Sequence, residues 1–87
     1  MKLEASNKED KRFKVVIHNK TYHFGQKGGS TYIDHGDKIK RDAYIKRHKV
    51  NENWDAINAG SLSRYLLWGD STNIKNNIKY YKKKFNL

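Results

Sequence analysis

RFKVVIHNKTYHFG, residues 12–25, decides the fold. Its first half alternates Phe13, Val15 and Ile17 with Lys14, Val16 and His18, the period-two pattern of a strand with one buried face. Its second half, Thr21 to Gly25, is again rich in β-formers. Between them Asn19-Lys20 is the candidate tight turn, because asparagine tolerates positive φ, although Asn-Gly is the stronger signal. The stretch therefore predicts an antiparallel hairpin, with Phe13 and Phe24 facing the core from opposite strands.

Before the hairpin, residues 1–11 show no periodicity and read as a flexible arm. After it, GQKGGS (25–30) is a loop, since three glycines in six residues lower the cost of unusual φ values. Its open N–H groups suit an anion, but the closing Gly-Lys-Ser/Thr of a phosphate-binding loop is missing; a simple connection is the plainer reading. Tyr32 and Ile33 are open to two readings, a short third strand or side chains packed over the hairpin. Asp37 then caps a helix from about Lys38 to Lys49, with Tyr44 and His48 on one i,i+4 line and Ile45 beside it.

Asn51 caps a short helix around Glu52 to Ile57, anchored by Trp54 and ended by Gly60. Ser61 or Ser63 starts another, LSRYLLWG, whose Leu62, Tyr65, Leu66 and Leu67 fill most of its circumference and call for burial on more than one side. Gly69 suits its C′ position. Ser71 or Thr72 caps the last helix, where Ile74, Ile78, Tyr81 and Phe85 recur at spacings of four, three and four, the clearest helical signal in the chain. The expected fold is α+β: an N-terminal β-hairpin, with a short third strand as an option, packed against three or four helices. Residues 12–87 form a single compact basic domain. Its expected core is Phe13, Val15, Phe24, Tyr44, Ile45, Trp54, Leu66, Trp68, Ile74, Ile78 and Tyr81.

With 87 residues, one domain is expected. Two tryptophans, six tyrosines and three phenylalanines form a heavy aromatic load, able to fill a small core or to stack on bases. Cysteine is absent, which excludes disulfides and thiolate zinc sites. No apolar run approaches a membrane span, and MKLEASNKED lacks an apolar leader core, so a soluble intracellular protein without membrane partners is expected.

Net charge is +10, from 19 Lys and Arg against 9 Asp and Glu. Such an excess favours anionic partners. It is concentrated in two segments. Residues 38–49 hold Lys38, Lys40, Arg41, Lys46, Arg47 and Lys49 against Asp42, and residues 72–87 hold Lys75, Lys79, Lys82, Lys83 and Lys84 against no acid.

Chemistry is harder to find. The four histidines are His18, His23, His35 and His48, and His18 and His23 flank the hairpin turn. Asp34, His35 and Asp37 in DHGD are the most enzyme-like group, a carboxylate pair for Mg²⁺ with a histidine base. The competing reading has both acids capping backbone N–H groups and His35 in a structural hydrogen bond, and the spacing fits no metal motif. No metal, cofactor or catalytic residue is expected. Arg64, the lone base in SLSRYLLW, is read first as an ion-pair partner of Asp70, Asp55 or Asp37 and second as a phosphate ligand.

Read together, several segments resemble a small uncharacterised family of large eukaryotic double-stranded DNA viruses. The shared residues are Phe24-Gly25; Tyr32 with His35; Arg41, Tyr44, Ile45, Arg47 and His48; and Ser63-Arg64 with Leu66-Leu67-Trp68. The likeness covers about residues 12–86. It departs at GDKIK, where an extra glycine stands at a more charged position. The resemblance implies a viral origin, in the virion or the viral factory of the host cytoplasm, with the nucleus as an alternative, and no particular activity.

The leading expectation is a non-enzymatic protein that binds nucleic acid, DNA first, through backbone phosphates with little sequence specificity. Lys40, Arg41, Lys46, Arg47, Lys49, Lys75, Lys79, Lys82 and Lys83 are the candidate contacts, Arg41 being the one that also suits a core-supporting role. The alternatives are a structural or minor capsid-associated protein acting through contacts with other virion proteins, and a small metal-dependent nuclease.

Overall fold

His18 and Asn19 both take positive φ, 51° and 66°, and Ile17 pairs with Lys20 across them. This is a two-residue turn of the twist-compatible kind, one position earlier than Asn19-Lys20. The computed structural model describes residues 1–87 and confirms the hairpin. Strand β2 (Lys11–Ile17) runs antiparallel to β3 (Lys20–Gln26), and Phe13 lies directly opposite Phe24, ring centroids 5.9 Å apart.

The flexible-arm expectation needs correction. Leu3–Ala5 is an edge strand, β1, antiparallel to β2 with Leu3 opposite Val15 and Ala5 opposite Phe13. The physical reason is a short alternation, Met1 and Leu3 against Lys2 and Glu4, that sends Met1 and Leu3 onto the core. The sheet is thus three-stranded, in the order β1-β2-β3. Its third strand is not at Tyr32-Ile33, where the chain instead makes a single helical turn, α1 (Tyr32–His35).

Helix α2 (Lys38–Lys49) begins where expected, with the Asp37 carboxylate accepting from the N–H groups of Ile39 and Lys40. The helix expected over Glu52–Ile57 does not form; that segment is a series of turns. Asn58 caps the next helix instead, accepting from Ser61 N–H, so α3 (Ala59–Leu62) starts through Gly60 rather than after it. It continues without a break into a π-helix, Ser63–Leu67, closed by Trp68 N–H donating to the Ser63 carbonyl at 3.1 Å. The wider turn lets Leu62, Leu66 and Leu67 all reach full burial. Asn73, not Ser71 or Thr72, caps α4 (Ile74–Lys84), accepting from Lys75 N–H.

One core results. Val15, Ile17 and Phe24 from the sheet meet Leu62, Leu66, Leu67 and Tyr81 from the helices, with Phe13, Trp68, Ile74 and Ile78 packed around them. Tyr44 is buried as expected, stacked on Trp68 at the margin of the main cluster. Two of the expected core residues lie elsewhere. Ile45 and Trp54 are only half-buried and do not join the core. Ile45 sits on the flank of a helix held mainly by Tyr44, and Trp54 stands in the turns that replaced its expected helix. No helix is long and apolar enough to cross a membrane.

Candidate nucleic-acid interface

An α-helix advances about 100° per residue. On that wheel Ile74, Ile78, Tyr81 and Phe85 occupy one narrow arc of α4, facing the core. Lys75, Lys79, Lys82 and Lys83 fall within an arc of about 100° whose centre is turned about 120° from the core-facing one. All four are exposed, and no carboxylate lies within ion-pair distance of any of them. The sequence therefore builds a bare cationic stripe here, because the helix has an apolar face to anchor it and no acid to neutralise it.

The cations of α2 are divided. Lys38, Lys46 and Lys49 share an arc with Asp42, while Lys40 and Arg47 form a separate exposed pair about 20° apart on the wheel. Arg41 belongs to neither group. Its Nε donates to the carbonyls of Trp68 and Gly69 at 3.1 and 3.0 Å, and its terminal nitrogen pairs with Asp70 at 2.6 Å. Its guanidinium also lies over the Tyr32 ring. Beside the phosphate role expected of it, Arg41 therefore has a structural one: its Nε and one terminal nitrogen tie α2 to the end of the π-helix.

Arg64 makes none of the expected ion pairs. Asp70 is taken by Arg41, Asp55 by Lys84 and Asp37 by the cap of α2. Instead Arg64 donates to the Trp68 carbonyl at 2.8 Å and lies between the rings of Trp54 and Tyr65, 5.3 and 5.1 Å from their centroids. Burial, and secondarily the nearby Arg41 charge, lower its pKa. Two guanidiniums therefore converge on the carbonyl end of the π-helix, where unpaired acceptors gather.

In DHGD, Arg12 grips both oxygens of Asp34 at 2.7 Å, and the same carboxylate accepts from the N–H and hydroxyl of Thr31 at 2.8 Å. Asp34 is held well below the usual carboxylate range, above all by Arg12. Asp37 caps α2, and His35 Nδ1 accepts from Asp37 N–H at 2.9 Å. The capping reading is the one observed, and both acids expected of a nuclease are engaged. No three His, Asp or Glu side chains are grouped to hold a metal ion.

Two features escaped the sequence. One is His23, whose pKa is lowered by desolvation first and then by the charges of Lys8, Lys14 and Lys11. A cleft of about 390 Å³ opens between β3, the Gly29–Thr31 segment, α2 and the π-helix; Lys11, His48, Glu52 and Ser63 line it. Glu52 accepts from His48 and from Trp54 Nε1, and the His48, Tyr44 and Trp68 rings stack in series, 4.2 and 4.4 Å apart. Burial, reinforced by the Glu52 charge, raises the Tyr44 pKa. The i,i+4 spacing of His48 and Glu52 was the available signal for this pair.

Fold and surface define a small basic α+β domain without cysteine, with a free lysine stripe on its last helix. The sequence matches, over residues 1–48, a family described as a family of unknown function (DUF5754), and the chain belongs to that family. The matched region takes in the sheet, α1 and α2 as far as His48; it stops before the π-helix and α4. No curated protein and no solved structure matches the chain.

Proposed function

We propose that this protein is non-enzymatic and binds nucleic acid, DNA first, through backbone phosphates. The observation that carries this reading is the α4 stripe: Lys75, Lys79, Lys82 and Lys83 on one exposed arc, with no carboxylate in reach. Lys40, Lys46, Arg47 and Lys49 on α2 add to the positive field that draws a polyanion in. Binding of this type positions a protein on the duplex without reading its bases. We propose further, from the viral resemblance, that this activity serves a virion or viral factory.

Fluorescence anisotropy on two unrelated duplexes across a salt series tests it. Affinity should fall steeply with salt and be alike on both sequences. Lys79→Ala with Lys82→Ala should reduce the log–log slope by roughly 0.9 for each phosphate that is no longer neutralised. Absence of binding by the unaltered protein at low salt, or an unchanged slope in the double variant, refutes the reading.

A further inference from the structure

The cations and rings beside the α4 stripe form an ordered series. Tyr80 is 48% exposed, the outermost aromatic of the helix, one turn before Lys83 and Lys84. Its ring lies 5.6 Å from that of Tyr65. Lys84 stands 5.3 Å over the Tyr65 ring, and Arg64 lies between Tyr65 and Trp54. Trp54 and Tyr65 are both half-buried, so each keeps part of its surface in solvent. The main apolar core takes in Tyr65 at its margin, but neither Trp54 nor Tyr80.

A core has no use for this arrangement. A tyrosine left 48% exposed forgoes part of its apolar stabilisation, and Arg64 is held by two rings and a carbonyl with no carboxylate in ion-pair distance. The combination does match one kind of ligand. A single strand presents phosphates on one side and unpaired base faces on the other; lysines take the first and aromatic faces the second. A duplex hides its base faces in the stack and meets only the lysines.

We infer that Tyr80 and Trp54, backed by Tyr65 and Arg64, offer stacking faces for the bases of single-stranded nucleic acid, as a track alongside the phosphate-binding lysines of α4. The inference rests on the phosphate reading above and narrows it to a strand class. Tyr80 receives the first base, since its ring is the most open. Arg64, pinned by the Trp68 carbonyl, offers a fixed cation within the track, and Lys79 and Lys83 hold the flanking phosphates.

Anisotropy with a single-stranded DNA, the same sequence as RNA, a duplex and an abasic DNA strand of equal length separates the possibilities. Tyr80→Ala should lower affinity for the single strands roughly 5- to 150-fold, the range for removing one stacked base. Duplex and abasic binding should stay unchanged, and Tyr80→Phe should retain the single-strand affinity. Trp54→Phe, which keeps a ring, is the matching probe at the other end and should bind single strands nearly as the unaltered protein does. Equal weakening on duplex and single strand in Tyr80→Ala, or none on either, overturns the track while leaving the lysine reading intact. An abasic strand bound as tightly as the intact one by the unaltered protein also overturns it. Failure of the unaltered protein to bind any of the four ligands removes both readings together. A loss in Tyr80→Ala on both the DNA and the RNA strand supports the track, and comparison of the two arms shows which sugar is preferred.

Discussion

Asp34 shows how much one side chain can hold. It accepts from Arg12 with both oxygens and from Thr31 twice, so a single carboxylate joins β2 to the first turn of α1. Its folded pKa is depressed, and the sign of the linkage follows. The stabilisation is fully present above the unfolded value near 4 and is lost as pH falls below it, because the unfolded chain then binds the proton first. Asp34→Asn should therefore lower stability at pH 7 by about 1–2 kcal/mol and flatten the acid limb of a stability–pH profile. Urea unfolding of both proteins from pH 2.5 to 7 is the check; parallel profiles would show that the ion pair contributes nothing. DHGD advertised its caps in the sequence, and Asp37 was legible as one. The partner of Asp34 was not, since Arg12 lies 22 positions away and only the folded sheet brings it near.

Elements were legible where they carried a long period. The alternation of β2 and the four-three-four spacing of α4 both hold, because each element buries one face against a single neighbour. Boundaries set by local competition were less so. Asn58 and Asn73 outcompeted the serines and threonine beside them as caps, and the π-helix left no trace in the period. Gly69 illustrates the difference. It follows the π-helix, as a terminating glycine should, but its φ is not positive. Its role is close approach: a Cβ there would lie 2.2 Å from the Tyr65 carbonyl oxygen and 2.8 Å from the Asn77 side chain. Asn77 is itself buried, donating to the carbonyls of Leu66 and Ser71 and accepting from Ser71 N–H, so neither wall can yield cheaply. Gly69→Ala should cost roughly 2–4 kcal/mol. Gly28→Ala is the informative comparison, since nothing lies within 4 Å of its Cβ and only its φ of +81° opposes the change; it should cost less by chemical denaturation. Equal costs would mean that crowding at Gly69 is relieved by an easy shift.

At the scale of the whole molecule, charge acts in two opposite directions. The sequence made the two basic segments plain, but it could not show that α4 gathers its lysines on one arc while α2 splits its own around Asp42 and surrenders Arg41 to the π-helix. The folded chain packs a net charge of +10 around one small core, so its like charges repel. Salt screens that repulsion, with a Debye length of about 10 Å at 0.1 M. The thermal midpoint of the free protein should therefore rise as sodium chloride goes from low to moderate concentration. The same ions compete with the lysines for phosphate, so nucleic-acid affinity should fall over that range. A ligand that binds the folded form and not the unfolded one stabilises it by RT ln(1 + [L]/Kd), about 2.7 kcal/mol at a hundred times Kd. The shift in midpoint produced by a fixed excess of oligonucleotide should then be largest at low salt, where the free protein is least stable, and should vanish as salt rises. Differential scanning fluorimetry with and without oligonucleotide across one salt series measures both slopes in the same plate. Two curves that coincide at every salt concentration would show that the lysines are spread for solubility alone, since a phosphate-binding surface has to separate the curves at low salt and bring them together at high salt.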